Sequence, residues 1–244
     1  SKKQISNLEI VQGDIRDLYS VSEAVKGQEI VFHLASMIAI PYSYENPWDA
    51  FESNAKGTLN VLTAIKNIGI EKLVHTSTSE TYGSAKYVPI DEQHPLQGQS
   101  PYSASKIAAD KLVESFQLSY NLPITTIRPF NTYGPRQSSR AVIPTIITQA
   151  LTQKSVKLGS LSPTRDFTFV TDTVEGFIKM AESSNNVGET INIGSNFEIS
   201  INDVAQKIAK LLELDIDLEV KDQRKRPEKS EVTRLYADNT KAKL

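Results

Sequence analysis

The chain has 244 residues, 39% hydrophobic and 23% charged, which suffices for one large domain or two intimate ones with a real core. A net charge of −2 gives no electrostatic reason to expect nucleic acid or an anionic membrane surface as partner, and zero cysteines exclude disulfides and thiolate metal sites, as fits a cytoplasmic protein. No apolar run approaches the roughly 18 residues that span a bilayer, and His33, His75 and His94 lack metal-ligand spacing, so neither a membrane span nor a metal site is expected.

In chain order, Leu8 to Val11 reads as a short apolar strand ended by Gly13-Asp14, and Leu18 to Lys26 as a helix. Glu29 to Leu34 reads as a second, buried strand. Pro41 and Pro47 bracket a loop, and Trp48 to Ile68 is expected as one long helix with Phe51, Ala55, Leu59 and Leu62 on its apolar stripe. The run Lys72 to His75 reads as a buried parallel strand, followed by a turn-rich loop, a helix from Tyr102 to about Ser119, and a strand from Pro123 to Arg128. Short strands alternating with helices imply an α/β fold with a Rossmann-like, doubly wound parallel sheet. Beyond Pro129 come a polar loop over Asn131 to Ser139, a helix from about Ala141 to Gln153, and a strand over Asp166 to Val170. Thr171 or Asp172 is expected to cap the helix that ends near Ser183. A strand over Glu189 to Ile193 follows, and Ser200 with Asp203 resembles a capping box before a helix to about Leu212.

The chemistry concentrates between Thr76 and Lys106. Tyr102 and Lys106 are four residues apart on a helix, so their side chains share a face. An ammonium beside a phenol stabilises the phenolate, and such a pair can serve as a general base near neutral pH. The hydroxyls of Ser77 and Thr78 and the carboxylate of Glu80 fall where the preceding strand ends, a usual place for chemistry on an open α/β sheet. The glycine-rich turn that lets a backbone approach a pyrophosphate is missing, because no two glycines are separated by a single residue. The chain begins with Ser and stops in an apparent helix at Lys241 to Leu244, so it is expected to be a piece truncated at both ends, binding NAD weakly or not at all.

These residues add up to a family. Gly13-Asp14-Ile15, His33-Leu34-Ala35-Ser36, Asn54, Gly57-Thr58-Leu59-Asn60 and Thr76 to Glu80 are joined by the Tyr102–Lys106 pair, Arg128 to Asn131 with Tyr133-Gly134-Pro135, Arg165-Asp166-Phe167 and Arg226-Pro227. Over essentially its whole length the chain resembles the extended short-chain dehydrogenase/reductases that act on nucleotide sugars, the NAD-dependent epimerase/dehydratase group. Gln97 to Lys106 and Arg226 to Val232 make it most similar to the 4,6-dehydratases of the legionaminic-acid, amino-sugar branch, which feed surface polysaccharides.

The resemblance implies NAD as cofactor and a UDP- or GDP-sugar as substrate. It implies that Asp14 accepts from the adenine amino group and Ile15 covers the ring. Leu34, Ala35 and Ser36 lie along the cofactor, Asn54 has a structural or cofactor-bridging part, Thr76 lines the same site, and Pro129 and Phe130 face the nicotinamide. His33 is read as a satisfied core histidine and Lys225 as surface charge. Arg165 and Arg226 would neutralise the sugar-nucleotide diphosphate, with Arg224 an alternative to Arg226, and Asn131 would bond the same phosphate or the sugar. Tyr102 would take the O4 proton, Thr78 would steer O4, and Glu80 would remove the C5 proton. Ser79-Glu80 replaces the Asp-Glu of several dehydratases, as in the GDP-mannose dehydratase branch, so the acid for the C6 hydroxyl stays open between Glu80 and a water it orients. A 4-epimerase or decarboxylase, or a binding protein without turnover, are the alternatives.

The same resemblance divides the chain into a nucleotide-binding region, residues 1–133 with 166–195 returning to it, and a substrate-binding region, residues 134–165 and 196–244. It also implies a homodimer whose helices from Trp48 to Ile68 and from Tyr102 to Ser119 form a four-helix bundle with their mates.

Overall fold

The computed structural model describes residues 8–153, 155–222 and 225–243. Arg224, the alternative to Arg226, and Leu244 lie outside them. The first elements are helix α1 (Leu18–Val25), strand β1 (Ile30–His33), the short helices α2 (Ile40–Glu45) and α3 (Pro47–Phe51), and helix α4 (Gly57–Ile68). Strand β2 (Lys72–Thr76), helix α5 (Pro101–Tyr120) and strand β3 (Ile124–Pro129) follow. The rest comprises β4 (Asn131–Tyr133), α6 (Val142–Thr152), β5 (Ser155–Leu158), β6 (Thr164–Phe169), α7 (Val170–Glu182), β7 (Thr190–Ile193), β8 (Glu198–Ser200), α8 (Ile201–Leu212), β9 (Asp217–Val220) and β10 (Arg234–Leu235).

The main sheet runs β1-β2-β3-β7 with every pair parallel. Alternation along its strands fixes which helices cover it. Leu73 and Ile124 point to one face, where they pack with Val21, Val61, Leu62, Ile65 and Val113 from α1, α4 and α5. Val74 and Ile127 point to the other, against Met180 of α7. Leu62, Ile65 and Leu73 are almost wholly buried, and each such side chain contributes about 1.5–3 kcal/mol relative to exposure. A Rossmann-like parallel α/β sheet with helices on both faces results. A second sheet, β10-β6-β4 with β8 antiparallel to β6, lies in the later part of the chain, as does the pair β5-β9 beneath α6 and α8.

Several local expectations are corrected. Leu8 to Val11 forms no strand and its apolar side chains are exposed, since no strand among the described residues pairs with it. Strand β1 is half-exposed rather than buried because, among the described residues, β2 is its one neighbour. The Pro41–Pro47 loop contains α2, with Pro41 in its first turn, where a missing N–H costs nothing. The long helix is interrupted at Glu52–Lys56 by a π-turn, which shifts the phase of the stripe: Ala55 and Leu62 are buried, while Phe51 and Leu59 face outward. Asn131 to Tyr133 is a strand rather than loop, because β6 offers it a parallel partner. Helix α7 starts at Val170, ahead of Thr171 and Asp172, so neither caps it. Ser200 does cap α8, accepting from the Asp203 N–H at 3.0 Å, and Asp203 takes the Ser200 hydroxyl rather than its backbone N–H. Lys241–Lys243 is a 3₁₀ turn.

Helix α5 is anchored at both ends. Ser100 and Ser103 form a reciprocal cap at its start, Pro101 opens its first turn, and Asn121 closes it in the left-handed region at φ 52°. On its sheet-facing side, buried Asp110 accepts from Arg128 Nη2 at 2.9 Å, Ser77 Oγ at 2.7 Å and His75 Nε2 at 3.2 Å. Burial alone would raise this carboxyl, but the His75 bond, the Arg128 charge and the Ser77 bond outweigh it and hold it at about 2. Asp110→Ala leaves the Arg128 charge buried and uncompensated, so thermal or urea unfolding is expected to show a loss of about 3–5 kcal/mol at neutral pH. Because the folded value lies below the ordinary 3.8, this carboxylate's stabilisation is complete above about pH 4 and is lost as pH falls through about 2. An acid-unfolding curve for Asp110→Ala that keeps the wild-type slope in that window would contradict the assignment.

Candidate active site

The carboxyl ends of β1, β2 and β3 lie side by side and carry Leu34 to Ser36, Thr76 to Glu80 and Pro129, lining a crevice of the kind an open parallel sheet offers a ligand. Leu34 and Ala35 leave β1 exposed, and Ser36 follows them half-buried. Asn54, in the π-turn, ties this end to α5. Its Oδ1 accepts from Ser36 Oγ and Met37 N, both at 2.8 Å, and its Nδ2 donates to the Met37 carbonyl at 3.0 Å and to Ser105 Oγ at 2.9 Å. Every polar atom of the amide is engaged, which suits a bracing residue. Gly57 opens α4 because Ile15 lies against it; a Cβ there would meet Ile15 Cγ1 at 2.9 Å. Asn60 Nδ2 donates to the Ile15 carbonyl at 3.0 Å. Asp14 is open to solvent and chelated by Arg16, whose Nη2 lies 2.7 Å away and holds the carboxyl down at about 2.

His33 is buried, and its Nε2 lies 2.9 Å from Thr58 Oγ1, which already donates to the Asn54 carbonyl. The imidazole therefore donates from Nε2, and burial pushes its pKa well below the ordinary value, so the ring is neutral. It is a satisfied core histidine.

At the end of β2 the side chains part company. Ser77 turns under α5 to Asp110 and does not share the crevice, a correction to the expectation that its hydroxyl joins Thr78 and Glu80. Thr78 starts the 3₁₀ turn Ser79–Tyr82, its Oγ1 accepting from the Glu80 N–H at 3.2 Å, which leaves its own proton free to donate. Tyr102 sits beside both. Burial raises its phenol to about 12, the Thr78 hydroxyl pulls it back, and the Glu80 charge raises it further. The expected lowering by Lys106 is absent from this balance. The Lys106 ammonium donates to the Thr76 carbonyl at 2.6 Å, and burial lowers it to about 8 against the opposing charge of Asp110.

The remaining residues arrive from the later part of the chain. Pro129 ends β3, while Phe130 is 2% exposed and packs with Tyr82, Ile90 and Leu235. Its ring belongs to the core rather than to a cofactor surface. Among the described residues, Asn131 Oδ1 and Thr76 Oγ1 are buried and have no hydrogen-bond partner. Arg165 is buried, donates to the Thr164 carbonyl at 2.9 Å and faces Glu231 at 3.6 Å. Arg226 does not stand free. Its Nη1 meets Glu80 Oε2 at 3.2 Å.

Sequence reasoning missed Asp110, although it continues the Tyr102–Lys106 spacing by one more helical step. It also missed Glu231, which lies inside a quoted motif, and Ser43, whose Oγ accepts from the Tyr102 N–H at 3.2 Å. Only the last gave no sequence signal.

Comparison with known proteins follows from this geometry. The family model described as GDP-mannose 4,6 dehydratase matches residues 1–244. Human dTDP-D-glucose 4,6-dehydratase is 34% identical over 217 residues, 87% of this chain and 61% of that protein. A putative UDP-glucose 4-epimerase of Methanocaldococcus jannaschii is 31% identical over 241 residues, covering 96% of this chain and 76% of its own. The chain spans about three fifths of the length of the first curated relatives it matches. Among solved structures, the dTDP-glucose 4,6-dehydratase DesIV of Streptomyces venezuelae, with NAD bound, superposes with a TM-score of 0.90 at 25% identity, over 98% of this chain and 74% of that one. With the matched motifs and the fold, these likenesses establish that the chain belongs to the GDP-mannose 4,6-dehydratase family, within the NAD-dependent epimerase/dehydratase group of short-chain dehydrogenase/reductases.

Proposed function

We propose that the full-length protein is an NAD-dependent nucleotide-sugar 4,6-dehydratase acting on a UDP- or GDP-hexose or N-acetylhexosamine. The observation that carries this reading is the Glu80 carboxylate, set by its N–H on Thr78 Oγ1 at 3.2 Å in the turn that follows β2, with its charge acting on Tyr102. A 4-epimerase needs the phenol and the threonine but no base for C5. Its relatives include both dehydratases and epimerases, so the carboxylate is the feature that favours elimination.

NAD suits the crevice. The exposed end of β1 at Leu34, Ala35 and Ser36, the unpartnered Thr76 Oγ1, and Pro129 would hold it, with Asp14 and Ile15 toward the adenine and Asn54 bracing the loop between. When bound, NAD supplies the acceptor and later the donor of a hydride. Thr78 donates to the sugar O4, and Tyr102 takes the O4 proton as a phenolate. Because the chain's own groups hold the phenol up at about 12, its ionisation falls to the positive charge a bound cofactor would bring, not to Lys106, which is turned to the Thr76 carbonyl. Once C4 is a ketone, the C5 proton is acidic. Glu80 removes it, the electron pair forms the C5–C6 double bond, and hydroxide leaves C6 as water on taking a proton from Glu80 or a water it orients. Return of the hydride to C6 and of a proton to C5 then gives the 4-keto-6-deoxy sugar. Arg165 and Arg226 hold the diphosphate, and Asn131 bonds the same phosphate through its amide N–H or a sugar hydroxyl through its amide oxygen. We assign the cofactor to residues 1–133 with 166–195, and the sugar nucleotide to residues 134–165 and 196–244. The full-length protein is proposed to dimerise through α3–α4 and α5, whose outward Trp48, Phe51 and Leu59 form the apolar face.

Three measurements test this reading. In the full-length protein, Glu80→Gln keeps C4 oxidation and slows elimination roughly 10²–10⁴-fold, so NADH absorbance accumulates when substrate is added, whereas Tyr102→Phe shows none. Undiminished release of 4-keto-6-deoxy sugar by Glu80→Gln removes the base assignment, and an epimerised or decarboxylated wild-type product removes the dehydratase. Sedimentation at micromolar protein is expected to show a dimer; a monomer throughout counts against the bundle. NMR of reductively methylated protein is expected to find Lys106 titrating near 8, below the ordinary 10.5. Between those values the unfolded chain holds the extra proton, so this lysine adds stability as pH rises from about 8 to about 10.5, and Lys106→Met abolishes that rise.

A further inference from the structure

Glu80 and Arg226 are 146 residues apart in the chain, yet their side chains meet through three contacts: Nη1 with Oε2 at 3.2 Å, Nη1 with Oε1 at 3.4 Å and Nη2 with Oε1 at 3.4 Å. Neither group is at the open surface; the carboxylate is 10% exposed and the guanidinium 22%. Beside them Arg165 and Glu231 form a second pair, 7% and 19% exposed. Two cations and two anions thus balance within the crevice. Both terminal nitrogens of Arg226 are turned to Glu80, and an anion seeking this guanidinium meets the Glu80 charge first. For a diphosphate to take Arg226, the carboxylate must yield it, and a carboxylate that has yielded its arginine has regained the lone pairs a base uses.

We propose that Glu80 is an internal competitor for the substrate's diphosphate: it occupies Arg226 in the absence of a nucleotide, and arrival of the diphosphate transfers Arg226 to the phosphate and releases Glu80 for proton transfer. The proposal rests on the reading of Arg226 as a diphosphate ligand and adds to it that the base and the anchor share one guanidinium. It makes Glu80 a determinant of nucleotide affinity as well as of chemistry, and it couples occupation of the diphosphate site to readiness of the base. Arg165 shares this coupling only through space: Glu231 is its ion-pair partner at 3.6 Å, while the Glu80 charge acts on it without a direct contact.

The test is nucleoside diphosphate binding to the full-length holoenzyme, by calorimetry with UDP and with GDP. Removing the competing charge in Glu80→Gln is expected to tighten the preferred diphosphate by roughly 3- to 30-fold, the range between an exposed and a desolvated charge pair. Arg226→Gln is expected to weaken it, and in the Arg226→Gln background Glu80→Gln is expected to give no gain. Glu80→Ala, which also removes the charge, is expected to tighten binding as Glu80→Gln does and serves where Glu80→Gln folds poorly, whereas Glu80→Asp, which keeps the charge, is expected to give no such gain. If wild type binds UDP or GDP and Arg226→Gln weakens it, but Glu80→Gln leaves affinity unchanged or lowers it, the competition is overturned and the reading of the site stands. A tightening that persists undiminished without Arg226 overturns it equally. If Arg226→Gln does not alter diphosphate binding, the reading of Arg226 as anchor falls, and the competition with it.

Discussion

Asp110 is buried, and the placement of the whole site depends on how it is satisfied. Ser77 and His75 reach it from β2 and Arg128 from β3, so three donors on two strands converge on one carboxylate of α5. An ionised carboxylate in that position is tolerated only because each donor is present. The arrangement fixes the rotation of α5 over the sheet and thereby sets Lys106, one turn earlier, against the Thr76 carbonyl. From Arg128 the network continues to the Tyr82 hydroxyl at 3.0 Å, and from Tyr82 to Asn192 Oδ1 at 2.7 Å. Tyr82 ends the turn that carries Glu80. The phenol, the ammonium and the carboxylate of the candidate site are thus registered to one buried set of polar contacts.

A second set of contacts brings in the later part of the chain. The segment from Arg226 to Val232 meets the earlier part at several points: Arg226 on Glu80, Ser230 Oγ on the Tyr44 hydroxyl at 2.6 Å, and the Lys229 and Glu231 carbonyls on Gln99 Nε2. Val232 and Leu235 then enter the cluster around Tyr82 and Phe130. Hydrogen bonds hold the segment at its polar edge and apolar burial holds it beyond, so both arginines project into the same crevice as Tyr102. Asp166 performs a comparable service in β6, accepting from the N–H groups of Ser195 and Asn196 at 2.8 and 3.0 Å.

Ionisation in the crevice departs from what the Tyr102–Lys106 spacing suggests. Helical spacing puts two side chains on one face but does not say which atoms they reach. Lys106 reaches a backbone carbonyl, and Tyr102 is enclosed between Thr78 and the negative field of Glu80 and Asp110. The chain's own groups therefore hold the phenol protonated. Glu80 both raises that phenol and engages Arg226, which places it at the centre of the site's charge balance as well as of its chemistry.

The sequence by itself determined whatever depends on short-range periodicity. Strands β2 and β3, helix α5 from Tyr102 onward, the parallel α/β class, and the grouping of Thr78, Glu80, Tyr102 and Lys106 all follow from alternation, helical spacing and strand ends that lie within a few tens of residues. Tertiary structure decided the rest. Strands β4, β5 and β9 carry mixed polar and apolar residues with no apolar run to mark them, and exist because a distant partner pairs with their backbone hydrogen-bonding groups. The π-turn that carries Asn54 re-phases the stripe of α3 and α4, because the asparagine amide is held by Ser36, Met37 and Ser105 rather than by its own helix. The pairing of Arg226 with Glu80 was invisible in the sequence for the same reason: opposite charges 146 residues apart find each other only after the fold has closed the loop between them.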